Sequence, residues 1–122
     1  MGDRGNICIK EGIEEVWLYT HWGGSGIREV VRTALAKRLR WNNAPYLARI
    51  IFDVLTDGSH GEETGFGIWS SICDNGHEPV IVNVETQKVR IGDRLIPFAE
   101  YINPPVVMKD GVAIGLEEDI DD

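Results

Sequence analysis

Long apolar runs are missing from this chain. No stretch approaches the ~18 consecutive apolar residues of a membrane span, so no transmembrane helix and no membrane partner are expected. Cysteine is scarce too. Cys8 and Cys73 are too few for a disulfide framework, and both fall in strand-like segments where a buried free thiol is the expected state. The Lys-Ser/Thr of a P-loop, the G-x-G-x-x-G of a dinucleotide fold, and zinc or EF-hand spacings are all lacking. No metal, no cofactor and no catalytic set are therefore expected. The opening residues, Met1-Gly2-Asp3-Arg4-Gly5, have no apolar signal core, and Asn6 breaks the myristoylation pattern. Cytoplasmic residence is the expectation. Positive charge is the last shortage: 12 Lys and Arg stand against 20 Asp and Glu, for a net charge of −8. Glu117, Glu118, Asp119, Asp121 and Asp122 hold much of the excess. Phosphate binding needs Lys and Arg to release counterions, so no direct nucleic-acid partner is expected.

What is there suits one soluble domain. The 122 residues are 43% hydrophobic, enough for a core without staples. Asn6–Lys10 and Val16–His21 read as strands around a Glu11-Gly12 turn. From Ser25 the period becomes helical, with Ile27, Val30, Val31, Ala34, Leu35 and Leu39 on one stripe and Ser25 as the expected N-cap. Trp41–Pro45 breaks that helix. A second begins with Pro45 in its first turn and buries Tyr46, Leu47, Ile50, Ile51, Val54 and Leu55. A polar loop, Asp57–Gly65, leads to strands at Phe66–Cys73, Pro79–Val84 and Lys88–Ile91. Asn75-Gly76 predicts a hairpin between the first two. Leu95–Phe98 fits an edge strand, because Pro97 would spoil a central one.

The order β-β-α-α-β-β-β predicts an α+β two-layer sandwich, a mostly antiparallel sheet with both helices on one face. Residues 1–102 form the expected domain, and 103–122 an extended arm with the acidic tail. Strand parity sends Trp17, Tyr19 and Trp69 to the uncovered face, which predicts a homo-oligomer.

The segment with most chemical promise is Thr20-His21-Trp22-Gly23-Gly24-Ser25. Glycines admit close approach, and a helix start offers free N–H groups and a positive dipole end. Arg28 adds charge one turn in, His21 donates to an anion, and Trp22 stacks on a base. In the second helix, Arg49 and Asp53 stand one turn apart and read as an ion pair. In the loop, Glu63-Thr64-Gly65 enters a strand where it can reach a ligand, and His77 beside the Asn-Gly turn is expected exposed.

Four segments, "GDRGNI" at 2–7, "LYTHWGG" at 18–24, "PYLARIIFD" at 45–53 and "ETGFGI" at 63–68, resemble a family of small proteins from bacteria and their phages. The resemblance covers roughly residues 2–91. It implies a shared fold and site rather than a reaction, and it groups Tyr19, Thr20, His21, Trp22, Gly23, Gly24, Arg49, Glu63, Thr64 and Gly65. A phage setting would place the chain beside small anti-defence proteins.

These readings favour a non-enzymatic binding protein for a small anionic, nucleotide-like ligand, acting in a phage by sequestering a nucleotide signal. A protein–protein inhibitor, using the acidic tail and the aromatic face against a host protein, is the second reading. A phosphodiester hydrolase using His21 with Glu63 or Asp53 is the third.

Overall fold

The structure is a computed structural model that describes residues 2–59, 61, 63–103, 106–109 and 112–115. Alternating apolar residues set its sheet. β1 (Gly5–Glu11) and β2 (Glu14–Thr20) form a hairpin that turns at Gly12, where φ is +63°. α1 (Ile27–Ala36) and α2 (Ala44–Leu55) follow. The chain then lays down β3 (Phe66–Trp69), β4 (Val80–Asn83), β5 (Lys88–Ile91), β6 (Arg94–Pro97) and a single helical turn, α3 (Phe98–Tyr101). The six strands are ordered β3-β2-β1-β4-β5-β6. Only the β1–β4 pair is parallel. Both helices pack on one face, which makes an α+β sandwich with a mostly antiparallel sheet.

That face is the core. Ile7 and Ile9 of β1, Leu18 of β2, Val80 and Val82 of β4, and Val89 and Ile91 of β5 are buried against Val31, Leu35, Leu47 and Ile51 of the helices. Each such side chain contributes about 1.5–3 kcal/mol by leaving water. α2 starts as its sequence predicts. The Asn43 side chain accepts the Tyr46 N–H at 3.1 Å, and Pro45 sits where no N–H is needed.

The opposite face carries one row across all six strands. The register aligns Trp69, Trp17, Cys8, Ile81, Arg90 and Leu95 as successive neighbours. The parity reading of Trp17, Tyr19 and Trp69 therefore agrees with the register.

Several expectations need correction. The Asn75-Gly76 hairpin does not form, because β2 and β1 lie between β3 and β4. The segment after Trp69 instead crosses the start of β1. There the Asn6 side chain accepts the Cys73 N–H and donates to the Asp74 carbonyl, both at 3.0 Å, and the Gly76 N–H is given to the Arg4 carbonyl. Cys73 lies beyond the end of its strand and is only half-buried, whereas Cys8 is buried; both thiols are free. α1 stops at Ala36, so Leu39 falls off the buried stripe and is 52% exposed. Tyr46 is 51% exposed, and Phe52 packs against the core in its place. Beyond Asn103, β7 (Val106–Lys109) and β8 (Val112–Gly115) pair as a separate hairpin rather than an extended arm. The acidic tail, 117–122, lies outside the described residues.

Candidate functional site

The glycines at the start of α1 serve the chain's own backbone first. The N-terminal segment lies across them. Asp3 donates its N–H to the His21 carbonyl at 2.8 Å and accepts the Gly24 N–H at 2.6 Å. A Cβ on Gly24 would stand 2.6 Å from the Arg4 carbonyl group, and one on Gly5 would stand 2.8 Å from the Gly24 Cα. Only glycine permits that crossing. Thr20 is buried at the end of β2, and its hydroxyl accepts the Gly23 N–H at 3.0 Å, closing the turn.

The helix start already holds an anion. Ser25 is not its N-cap: Gly24–Gly26 forms one 3₁₀ turn, Gly26 precedes α1, and neither position caps through a side chain. The Ser25 N–H is donated to the Asp3 carboxylate at 2.9 Å, and His77 shares the other carboxylate oxygen. The Ser25 side chain, its backbone N–H and then His77 hold the Asp3 carboxyl down to about 2, against an ordinary value of 3.8. A carboxylate 22 residues away thus occupies the position predicted for a ligand. His77 is exposed as expected, yet it is tied to this network.

The open part of the segment lies one step earlier. The His21 N–H reaches the Gly65 carbonyl at 2.8 Å, which adds a rung beyond the end of the β2–β3 ladder. That rung brings two loops together around a cleft of about 400 Å³ lined by Tyr19, His21, Trp22, Thr64, Gly65 and Phe66. The Tyr19 hydroxyl and His21 Nδ1 share a hydrogen bond of 2.8 Å. His21 meets the Trp22 ring edge-to-face, with centroids 4.8 Å apart. The Trp22 ring is 60% exposed and seated on Gly65, where a Cβ would come within 3.0 Å of it. Gly65 has φ +104°, so a side chain there would be both strained and obstructive.

The predicted residues therefore divide. Tyr19, His21, Trp22, Thr64 and Gly65 line one cleft, and Phe66 joins them without having been foreseen. Thr20, Gly23, Gly24 and Ser25 form the turn beside it and do not line it. Glu63 is exposed but does not line the cleft, and neither does Arg28, whose carbonyl accepts the Tyr101 hydroxyl. Arg49 pairs with Asp53 at 2.5 Å and lines a separate hollow between the helices. Among the described residues no carboxylate lines the cleft beside His21, whose ring shares a hydrogen bond with the Tyr19 hydroxyl, and neither Glu63 nor Asp53 stands there. Among the described residues no group of three His, Cys, Asp or Glu could hold a metal, and no helix is long and apolar enough to cross a membrane. His60 and Glu62 of the loop lie outside the described residues.

No family model, no curated protein and no solved structure matches this chain. The functional reading rests on the geometry of the cleft.

Proposed function

We propose that this chain is a non-enzymatic binding protein whose ligand is a small molecule of nucleotide type, held by its planar ring in the Trp22 cleft. The observation that carries the reading is the seating of Trp22: a largely exposed indole, steadied by His21 and by a glycine that leaves its face clear. Stacking a base on such a ring is worth about 1–3 kcal/mol. Tyr19 and Thr64 supply hydroxyls at the rim for the edge of the ring. The anionic end of the ligand gains nothing from the helix start, where Asp3 stands, so the base rather than the phosphate carries the affinity. Tight binding without turnover makes this a sequestering protein.

A thermal-shift and fluorescence panel of nucleosides, nucleotides and cyclic nucleotides tests the reading. Ligand at 100 times its dissociation constant adds about 2.7 kcal/mol of stability. Nucleosides are expected to act nearly as well as nucleotides, and Trp22→Ala to abolish both responses. A panel with no shift and no quenching overturns the proposal.

A second reading has its own observation. The Trp69–Leu95 row leaves Trp69 65% exposed and Leu95 62% exposed, as an inhibitor of a host protein would require. Affinity capture with wild-type and Trp69→Lys protein tests it: a stoichiometric partner lost on the substitution supports the inhibitor, and capture unchanged by it removes this face.

A further inference from the structure

The cleft and the aromatic row leave one strongly charged surface unexplained. Residues 30–52 contain five cations, Arg32, Lys37, Arg38, Arg40 and Arg49, and no carboxylate, in a chain of net charge −8. Three of the five, Lys37, Arg38 and Arg40, sit in the turn that joins α1 to α2, and all three are exposed. Among the described residues none of these three has a carboxylate within ion-pair distance. Asp53 and Asp57 line the hollow that Lys37 also lines, but Asp53 is held by Arg49.

The backbone of this turn is a second, independent observation. Arg38 and Arg40 both have φ of +57°, the left-handed region that favours glycine. Two arginines thus stand at positions where glycine would relieve strain. Both guanidinium groups are arrayed over rings, Arg38 at 5.7 Å from the Trp41 centroid and Arg40 at 4.8 Å from that of Tyr46. The result is an ordered basic strip with exposed Leu39 between its arginines.

α3, at the end of the six-stranded unit, packs beside this strip, on α1 and on the Trp41 ring. The Tyr101 hydroxyl donates to the Arg28 carbonyl at 2.8 Å, and the Tyr101 carbonyl accepts from Arg32 Nε at 2.9 Å. Phe98 meets the Trp41 ring at 5.4 Å. The hairpin beyond returns the chain to where it left, because Val106 pairs with Gly115. Residue 117 is then about five residues and one strand spacing from Asn103, roughly 23 Å at full stretch. Residues 117–122 carry five carboxylates among six residues.

We propose that the basic α1–α2 turn is the docking surface of this chain's own acidic C-terminal segment, Glu117–Asp122. Single exposed ion pairs are weak. A tether of this length raises the local concentration of the segment to the millimolar range, so that several weak pairs give a populated contact. Ile120, the one apolar residue of the segment, is matched by exposed Leu39. The proposal stands apart from the Trp22 cleft and does not depend on what that cleft binds.

Zero-length carbodiimide cross-linking of the full chain, read by peptide mass spectrometry, tests it. The chain has four lysines, Lys10, Lys37, Lys88 and Lys109. Tail carboxylates are expected to couple to Lys37 and not to Lys10 or Lys88, with coupling to neighbouring Lys109 as the internal control. Raising salt from ~0.01 M to ~1 M, which shortens the screening length from ~30 Å to ~3 Å, is expected to reduce the Lys37 product at least fivefold. Arg38→Glu with Arg40→Glu is expected to do the same at low salt, and the salt series needs no variant should that protein fail to fold. Coupling to Lys109 without Lys37, or equal coupling to Lys10 and Lys88, overturns the proposal. Mixing isotope-labelled and unlabelled chains decides the source: hybrid-mass Lys37 products would place the segment on a second copy and overturn the intrachain contact.

Discussion

Asp3 caps a helical turn that begins more than twenty residues after it: its carboxylate accepts the Ser25 N–H at 2.9 Å while His77 holds its other oxygen. One side chain thereby joins the N-terminal segment, the start of α1 and the crossover between β3 and β4. A carboxylate at a helix start is favoured by the dipole and by unpaired N–H groups. Its folded value of about 2 lies below the ordinary 3.8, so it stabilises the fold fully above about pH 4, and the contribution disappears as pH falls through about 2. Asp3→Asn is expected to melt at a lower temperature than the parent at pH 7. The difference should narrow between pH 4 and pH 2. Thermal unfolding across that range checks it, and a gap that stays constant to pH 2 contradicts the cap.

Gly24 and Gly67 are expected to respond oppositely to alanine. A Cβ at Gly24 meets the Arg4 carbonyl group at 2.6 Å, and backbone cannot swing aside as a side-chain tip does. Gly24→Ala should cost about 1–3 kcal/mol through overpacking. A Cβ at Gly67, within β3, meets only Tyr19 at an ordinary 3.9 Å. Gly67→Ala should therefore be neutral or stabilise by up to about 1 kcal/mol, the usual penalty of glycine in a strand. Chemical denaturation of the two variants separates these outcomes.

Buried Asn6 uses both ends of its amide to hold the crossover, accepting from Cys73 and donating to Asp74. Asn6→Asp keeps the acceptor and removes the donor, setting a carboxylate oxygen against the Asp74 carbonyl. Asn6→Ala leaves both backbone groups without their partner. Each substitution should cost about 1–3 kcal/mol. Hydrogen exchange should show the loss first at Cys73 and Gly76, whose N–H groups the crossover protects. Unchanged protection there would mean that the segment is held by other contacts.

The Asn6 clamp also explains what local reading missed. β1, β2, both helices, β5 and the Pro97 edge strand follow from alternation and period, because each buries one apolar stripe. The Asn75-Gly76 dipeptide is a turn signal, but a turn does not name the strand's neighbour. That choice was made by hydrogen bonds spanning 67 and 68 residues. Asp3 was invisible as a cap for the same reason, since capping rules look only a few residues back. The helix start consequently looked vacant and invited an anion. Leu39 and Tyr46 kept the helical period, yet the left-handed turn at Arg38 ends α1 before Leu39 can face the core. The β7–β8 hairpin did leave a signal, Asp110-Gly111 between Val106-Val107-Met108-Lys109 and Val112-Ala113-Ile114-Gly115. Of the site, the half that lies in continuous sequence, Tyr19, His21 and Trp22, was legible. Gly65 belongs to a loop segment expected to reach a ligand, and the rung from its carbonyl to the His21 N–H is what brings it to the site.

The two thiols should differ sharply. Burial, reinforced by Glu15, pushes Cys8 from 9.0 up to about 12, whereas Cys73 is half-buried. One equivalent of an aromatic disulfide reagent should react with the native protein, and the second only on unfolding. Burial also raises Tyr101 from 10.0 to about 12. Both groups keep their protons in the fold at a pH where the unfolded chain has lost them. Stability should therefore hold below about pH 9 and fall as pH rises toward 12. Two fast-reacting thiols, or an alkaline limb that is flat, would contradict the burial of Cys8.

The cross-sheet row sets the last expectation, a homodimer. Trp69, Trp17, Cys8, Ile81, Arg90 and Leu95 are aligned by strand register, and the helices cover only the other face. A tryptophan carries on the order of 150–250 Å² of surface, and a stable interface needs roughly 800 Å² from each partner. Two tryptophans, Ile81 and Leu95 approach that area without exceeding it, and Arg90 interrupts the row. The dimer should accordingly be weak and dependent on concentration. Light scattering behind size-exclusion chromatography should give a mass rising from 13.6 kDa toward twice that value at high micromolar concentration. Trp69→Lys replaces the most exposed aromatic of the row with a charge and should hold the chain at 13.6 kDa throughout. A parent that stays monomeric at every concentration would rule out the dimer and leave the row to a different protein.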